Sequence, residues 1–273
     1  FYLTLIALLI NSCLSKYVLT DKEIKKHYAK KEFSPCFGMA TYKGKLVHYA
    51  QTGNDTMPTV LFIHGGPGAW YGWIDFMDDD SLRKKFNMVS VDRLGYGKSD
   101  YGKAELSTEE QVNSILEVMK KFPTDKKIIV VGRSYGAPIA AMVSKELGKQ
   151  VGKLILISPV VHPDKEKFYW FSPIIKSRSV NWMFPKFVNV ASKEKYAHAK
   201  EMKKILPEWK DVKCNTVVVA GGKDWVAEKS NYLVTDTLLK NCCSKEMIYL
   251  PEASHWIATE NKGLVKELIL KRN

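Results

Sequence analysis

The feature that most constrains the fold is a serine set between two glycines in the pentapeptide 132–136, Gly-Arg-Ser-Tyr-Gly. Residues 127–131 before it form an apolar, β-branched run that predicts a buried strand, and residues 137–143 after it predict a buried helix. A serine at a sharp turn from strand to helix is held in a strained backbone conformation that raises its Oγ above the sheet. The glycines fit this turn because strand and helix pass too closely there to leave room for a Cβ.

An acid and a histidine follow this serine in chain order, each directly after a predicted strand. The strand over 215–220 ends in a turn that carries Asp224, and the strand over 246–250 is followed by His255. One helix, at about 227–240, fits between them. When strands and helices alternate, such residues fall at the carboxyl ends of parallel strands, where open α/β sheets build their sites. Ser134, Asp224 and His255 are therefore the candidate nucleophile, acid and base.

These segments resemble the nucleophile elbow and the Ser, Asp, His order of the α/β-hydrolase superfamily, and the resemblance runs from about residue 37 to the end of the chain. Two further motifs carry it: the loop 64–68, His-Gly-Gly-Pro-Gly, which follows a predicted strand, and the turn 92–99, Asp-Arg-Leu-Gly-Tyr-Gly-Lys-Ser. The resemblance implies that the backbone N–H groups of Gly66 and Tyr135 bind the oxyanion of a tetrahedral intermediate.

The same resemblance gives three other residues of these motifs structural roles. His64 is expected to brace its loop through hydrogen bonds to the backbone, although a histidine beside a nucleophile also suits a catalytic base. Asp92 and Arg93 are expected to pair or cap locally rather than to react. In the superfamily, an aspartate at the nucleophile position is typical of dehalogenases and epoxide hydrolases, so Ser134 argues against both activities.

The expected architecture is the α/β-hydrolase fold, a mostly parallel twisted sheet with helices on both faces and a short helical lid. The 273 residues, 45% of them hydrophobic, suffice for one substantial core. We expect this core in two parts, 14–162 and 214–273, with the lid inserted at 163–213. Large apolar side chains are frequent in the insertion, and we expect most to pack on the core and a minority to face substrate. They are Phe168, Tyr169, Trp170, Phe171, Trp182, Met183, Phe184, Phe187 and Trp209.

The formal charge of +13 invites a nucleic-acid interpretation, which the motifs do not support. No helix-turn-helix, zinc-finger or RNA-binding motif accompanies the lysines, and they are scattered rather than arranged in a stripe. We therefore predict a solvated basic surface and no nucleic-acid partner. Attraction to an anionic membrane surface is the second interpretation.

The amino end predicts an export signal over residues 1–13. Residues 2–10 are apolar but too short to span a bilayer, and residues 10–13, Ile-Asn-Ser-Cys, resemble a bacterial lipobox from which Asn11 departs. We expect an exported lipoprotein held at the membrane by a lipid on Cys13, with a cytoplasmic protein as the alternative.

The five cysteines fit no zinc-binding spacing. Cys214 precedes one predicted strand, and the adjacent Cys242 and Cys243 precede the next, which is expected beside it in the sheet. In an oxidising compartment a disulfide from Cys214 to either of the other two is therefore predicted.

The predicted function is a serine hydrolase that cleaves an ester or similar acyl bond of a small-molecule substrate, without metal or organic cofactor. One alternative is a proline iminopeptidase, because His-Gly-Gly-Pro-Gly is also a pattern of that family. Such enzymes need lid carboxylates to hold the free amino group of the substrate, and residues 163–213 carry six acidic residues against twelve Lys and Arg. The other alternative is a non-catalytic binding protein with the same fold; those usually lack a triad member, and none is missing here.

Overall fold

A single mixed sheet forms the centre of the structure, a computed structural model that describes residues 18–123, 125–170, 172–177 and 179–271. Its eight strands follow the order β1-β2-β4-β3-β5-β6-β7-β8. Only the pairs β1–β2 and β2–β4 are antiparallel, and the remaining pairs are parallel. The strands are β1 Cys36–Tyr42, β2 Lys45–Gly53, β3 Thr59–Ile63, β4 Asn87–Val91, β5 Ile128–Arg133, β6 Val151–Ile157, β7 Asn215–Gly221 and β8 Lys245–Leu250. The mostly parallel sheet predicted from the sequence is confirmed.

Helices cover both faces of this sheet, as predicted. The α-helices are α1 Asp21–Tyr28, α2 Ile74–Met77, α3 Asp80–Arg83, α4 Thr108–Met119, α5 Gly136–Leu147, α6 Ser172–Lys176, α7 Lys186–Ile205, α8 Lys229–Leu238, α9 Ile257–Glu260 and α10 Lys262–Leu270. Short 3₁₀ helices occur at Trp70–Trp73, Gly148–Gln150, Asn181–Met183 and Leu206–Asp211.

The two faces carry separate apolar cores because successive side chains of a strand point in opposite directions. Leu61 and Ile63 of β3 pack with α4 and α5, whereas Val60 and Phe62 pack with Trp73 and with the helices on the other side. All five residues of β3 are buried, and so are all five of β4. Strands buried on both faces favour continuous apolar runs, and the run at residues 60–63 is the reason that the sequence predicts β3 without an alternating pattern.

The segment between β6 and β7 carries the helices α6 and α7, and the long helix α7 packs near the turn after β4. The boundaries of the predicted lid, 163–213, stay a prediction. Of its large apolar side chains, Trp209 is fully buried in the core beneath α5, whereas Phe168, Trp170 and Trp182 are more than half exposed. Phe171 lies outside the described residues.

The predicted disulfide is wrong in this structure, because the described cysteines Cys36, Cys214, Cys242 and Cys243 are all free thiols. Adjacent strands do bring the backbones together, and the N–H of Cys243 donates to the carbonyl of Lys213. The Cys242 thiol nevertheless turns to the Leu239 carbonyl, and Cys243 is exposed. Burial raises the pKa of the Cys214 thiol to about 11.

The predicted export signal and the lipid site at Cys13 lie outside the described residues, and both stay predictions. Within the described ranges, none of the helices combines the length and the apolar character that crossing a bilayer requires.

Candidate active site

Ser134 occupies the strained turn that the sequence predicts between β5 and α5. Its φ is +52°, in the left-handed region that non-glycine residues rarely adopt, and its N–H donates to the carbonyl of Ile157 at 2.9 Å. A Cβ on Gly132 would lie 2.5 Å from the Cβ of Ala140, and one on Gly136 would lie 2.4 Å from the carbonyl oxygen of His64. Both glycines are thus required by close approach of neighbouring elements.

The three predicted site residues meet in one hydrogen-bonded row. His255 Nε2 lies 3.0 Å from Ser134 Oγ, and His255 Nδ1 lies 2.8 Å from Asp224 Oδ2. The other carboxylate oxygen, Asp224 Oδ1, accepts hydrogen bonds from the N–H groups of Val226 and Ala227 at 2.9 and 2.7 Å. The carboxylate is therefore fixed in place and orients the imidazole so that Nδ1 donates to it and Nε2 faces the serine.

Two glycines bring the loops of the acid and the histidine together. A Cβ on Gly221 would lie 2.3 Å from the carbonyl oxygen of Ala253, and one on Gly222 would lie 2.3 Å from that of Pro251. Because β7 and β8 are neighbours in the sheet, their carboxyl-terminal loops leave in the same direction and pack without side chains between them. This close packing places Asp224 within hydrogen-bond distance of His255.

His64 braces the loop that follows β3, in agreement with the expectation from the sequence. Its Nε2 accepts the N–H of Arg93 at 3.0 Å, so Nδ1 carries the proton and donates to the carbonyl of Gly65 at 2.6 Å. Burial, and then the nearby charge of Arg93, hold the pKa of His64 well below its usual range. A neutral imidazole with both nitrogens engaged is suited to a structural role.

Arg93 connects this loop to the helix α7. Its guanidinium donates to the carbonyls of His64 and Gly65 at 3.0 and 3.1 Å, and to Glu194 at 2.6 and 3.1 Å. The hydroxyl of Tyr96 donates to the same carboxylate at 2.6 Å. Since the Gly65 carbonyl and the Gly66 N–H belong to one planar peptide, holding the carbonyl also fixes the direction of that N–H.

The local pairing expected for Asp92 and Arg93 holds only in part. Asp92 does cap locally, since it accepts from the N–H groups of Trp70 and Lys98 at 2.7 and 2.9 Å and contacts His48 Nδ1 at 2.7 Å. Arg93 instead pairs with Glu194, and no spacing in the sequence indicated a partner so distant along the chain.

A cavity of about 580 Å³ opens beside the serine. Ser134 and His255 line it together with the loop 65–68, the 3₁₀ helix Trp70–Trp73 and the beginning of α7. Phe187 is the one predicted lid aromatic among the described residues that reaches this cavity. Within the described ranges, three or more His, Cys, Asp or Glu side chains are nowhere grouped so that they could hold a metal ion.

Comparison with known proteins agrees with this geometry. The sequence model of the alpha/beta hydrolase fold family matches residues 58–190. The structure of a membrane phospholipase A from a bacterium superimposes with a TM-score of 0.69 at 18% identity, over 98% of this chain and 97% of that one. The chain is an α/β-hydrolase-fold protein.

Two curated relatives illustrate how far the sequence similarity of this chain extends. Epoxide hydrolase 1 of Caenorhabditis elegans is 35% identical over 111 residues, which cover 40% of this chain and only 27% of the nematode protein. The AB hydrolase superfamily protein YfhM of Bacillus subtilis is 24% identical over 272 residues, which cover 84% of this chain and 94% of the bacterial one. The similarity supports a hydrolase and leaves the substrate open.

Proposed function

We propose that this protein is a serine hydrolase that cleaves a carboxylic ester or a similar acyl bond through an acyl-enzyme. The observation that carries the proposal is the position of His255 between Ser134 Oγ at 3.0 Å and Asp224 Oδ2 at 2.8 Å. A serine hydroxyl is a weak nucleophile unless a base removes its proton, and here a base lies within hydrogen-bond distance. The imidazole is in turn oriented by a fixed carboxylate.

In the proposed reaction His255 Nε2 takes the proton of Ser134 while Oγ attacks the carbonyl carbon. The C–O bond to the alcohol then breaks, and His255 returns its proton to the departing oxygen. Water, deprotonated by the same nitrogen, attacks the acyl-serine and releases the acid. Asp224 stabilises the imidazolium that forms in each half of the reaction. Every group required belongs to this chain, to the substrate or to water.

The N–H groups of Gly66 and Tyr135 are the proposed donors to the oxyanion. Tyr135 follows Ser134 directly and precedes the helix α5, and Gly66 lines the cavity beside the serine. Donors stabilise a transition state best when they need no reorganisation as charge develops. The hydrogen bonds from His64 and Arg93 to the Gly65 carbonyl supply that rigidity at the Gly65–Gly66 peptide.

The positions of the acidic side chains favour an ester over a substrate with a free amino group. Among the described residues that line the cavity, none is one of the six acids of segment 163–213. Glu194 is bound by Arg93, and Glu201 accepts from the N–H of Thr108 at 3.0 Å. We therefore expect p-nitrophenyl acetate or butyrate to be hydrolysed far faster than proline p-nitroanilide. The reverse ranking would support the iminopeptidase.

The epoxide hydrolases among the relatives do not change this proposal. In the superfamily that the sequence resembles, an aspartate at the position of Ser134 is typical of epoxide hydrolases. An alkoxide attack on an epoxide carbon would leave an ether on the serine, which water does not cleave as it cleaves an ester. Of the two substrates, the acyl compound is thus the one that a serine nucleophile can turn over.

Labelling with a fluorophosphonate probe tests the proposal. We expect the probe to modify Ser134, and Ser134→Ala to lose both labelling and hydrolysis of p-nitrophenyl butyrate by about 10⁴-fold or more. Ser254→Ala is the matched control, because Ser254 lies beside His255 in the chain but bonds to Glu260. Equal turnover in the wild type and in Ser134→Ala would reject the mechanism. Absence of labelling and turnover in the wild type would favour the non-catalytic alternative.

A further inference from the structure

Arg133, the residue directly before the nucleophile, carries a positive charge that the surrounding protein does not balance. It lines the same cavity as Ser134. Within the described part of the chain, its guanidinium forms neither an ion pair nor a hydrogen bond, and burial alone lowers its pKa to about 10. The Arg133 side chain is partly exposed. Because its guanidinium lines the cavity, its donors can reach a bound group there, and a cation beside Ser134 without a counter-ion is suited to an anion from outside the chain.

The contacts that hold the Arg133 side chain do not neutralise it. The guanidinium carbon lies 5.4 Å from the centroid of the Trp73 ring, close enough for a cation–π contact. The guanidinium also lies against Gly72, where a side chain would have no room: a Cβ on Gly72 would lie 2.7 Å from Arg133 Nη2. An aromatic ring attracts a cation but accepts no hydrogen bond in its plane, so the donors of the guanidinium stay available.

The carboxylates that line the cavity are already engaged elsewhere. Asp21 forms an ion pair with Lys98 at 2.7 Å. Asp92 accepts from two backbone N–H groups and contacts His48, and it is fully buried. The charge of Lys98 is therefore balanced within the protein, whereas that of Arg133 is not. Among the described residues that line the cavity, Arg133 is therefore the cation without a counter-ion, and it lies next to the residue that would form the acyl-enzyme.

We infer that Arg133 binds an anionic group of the substrate, a carboxylate or a phosphate, joined by a short chain to the bond that Ser134 cleaves. This inference rests on the proposed hydrolase function and specifies its substrate class. A guanidinium suits the role because its planar fork donates two parallel hydrogen bonds to such oxyanions. A bound anion would also balance the charge that the cavity leaves uncompensated. Neutral esters of the same length should then be the poorer substrates.

Matched pairs of esters test the inference on the wild-type protein. One pair is the p-nitrophenyl half-ester of adipic acid and its methyl ester; the second is 4-acetoxybutanoate and its methyl ester, which places the anion on the alcohol side. We expect kcat/KM to favour the anion about tenfold or more in at least one pair, after subtraction of the rate without enzyme. Equal or lower rates for both anions would overturn the inference. Replacing the favoured carboxylate by a phosphonate shows which oxyanion binds better.

Two variants separate a specific contact from a general attraction by positive charge. Arg133→Gln is expected to bring the ratio of anionic to neutral rates down to about one, whereas Lys98→Gln, which removes a balanced charge from the same cavity, should keep most of it. Retention of the wild-type ratio in Arg133→Gln, or loss of the ratio in both variants, would contradict a role for Arg133.

A measurement without variants covers the case in which Arg133→Gln does not fold. Adipate or butylphosphonate should slow fluorophosphonate labelling of the wild type, and neutral adipamide should not. Equal protection by all three compounds, or by none, would count against the anion site. Labelling and hydrolysis of the neutral esters report on the proposed function separately: if both occur without an anion preference, only the inference about Arg133 fails.

Discussion

Arg93 and Glu194, which lie 101 residues apart in the sequence, form a two-pronged ion pair with N–O distances of 2.6 and 3.1 Å. Both side chains are almost entirely withdrawn from solvent, with 0% and 2% exposure. Arg93 belongs to the turn after β4 and Glu194 to the helix α7. The same guanidinium donates to the carbonyls of His64 and Gly65, so the helix α7 and the loop beside Ser134 are joined through one side chain.

Glu194→Gln is expected to lower the free energy of unfolding by about 3–5 kcal/mol, because it leaves Arg93 as a buried charge without its counter-ion. Hydrolysis should also slow, since Arg93 then holds the Gly65 carbonyl less rigidly. Urea denaturation and ester hydrolysis well below the melting temperature check the two effects. The control is Glu166→Gln, which breaks a partly exposed pair with Lys195 at 2.8 Å and should cost about 1 kcal/mol or less. Equal losses in both variants would argue against a special role for Glu194.

Asp224→Asn should retain the fold and reduce turnover roughly 10⁴-fold, because an amide can favour the wrong imidazole tautomer. Asp164→Asn is the matched control: Asp164 follows the preceding strand, but it is 62% exposed and pairs with Lys203 at 3.0 Å. Its turnover should stay close to that of the wild type. If Asp164→Asn is the damaging change, the acid has been assigned to the wrong strand. Circular dichroism of both variants verifies folding.

Gly132→Ala should destabilise the protein by about 1–3 kcal/mol and impair the elbow, because the added Cβ would lie 2.5 Å from Ala140 Cβ and 2.6 Å from the Gly136 carbonyl. Gly263→Ala provides the contrast. Gly263 lies in α10, and no described atom outside the neighbouring backbone of its helix lies within 4 Å of its Cβ position, so alanine there should stabilise by up to about 1 kcal/mol. Thermal unfolding should show a lower melting temperature for Gly132→Ala and an equal or higher one for Gly263→Ala. A higher melting temperature for Gly132→Ala would contradict the close packing around Gly132.

Stability should fall as the pH decreases below about 6.5, in part because of His198. Burial lowers the pKa of this histidine. Its Nε2 donates to the His162 carbonyl at 3.2 Å, and its Nδ1 has no hydrogen-bond partner among the described residues. Between the two pKa values, His198 therefore binds a proton in the unfolded chain but not in the native state. The stabilisation is complete above the pKa that His198 has in the unfolded chain. It is lost as the pH falls toward the lower pKa of His198 in the native state.

His198→Gln should accordingly make the free energy of unfolding less dependent on pH between 6.5 and 5, by up to about 1.4 kcal/mol per pH unit. His64, whose pKa burial also lowers, should continue to contribute in the variant. Urea denaturation at a series of pH values gives the slopes. Identical slopes in variant and wild type would contradict the assignment.

The positions of Ser134, Asp224 and His255 could be predicted because each is tied to a local pattern, an apolar strand followed at once by a turn. Parallel strands then bring their carboxyl ends to one edge of the sheet without further information. Glu194 could not be predicted in this way, because its partner Arg93 is set by how α7 packs and not by any spacing along the chain. The sequence could place it on a helix but could not identify the face that the core would cover.

The error about the cysteines has a similar origin. Neighbouring strands do bring the segments of Cys214 and Cys242 together, as the sequence implied. Strand adjacency sets only the backbone, however, and a disulfide also needs the two Cβ atoms to point toward each other. Cys242 turns toward the carbonyl of Leu239 instead, so its thiol does not face Cys214 although the two strands are neighbours.

The strand β8 lies at the edge of the sheet, so the residues that follow it are expected to open more easily than the centre of the fold. Its first two residues are exposed, its other four are only partly buried, and it pairs with β7 alone. Edge elements with few buried contacts open locally at a lower free energy than the core does. His255 lies in the loop that follows this strand, whereas Ser134 directly follows β5, which lies inside the sheet. Fraying of β8 is therefore expected to separate His255 from Ser134 before the rest of the sheet unfolds, and the loss should be reversible.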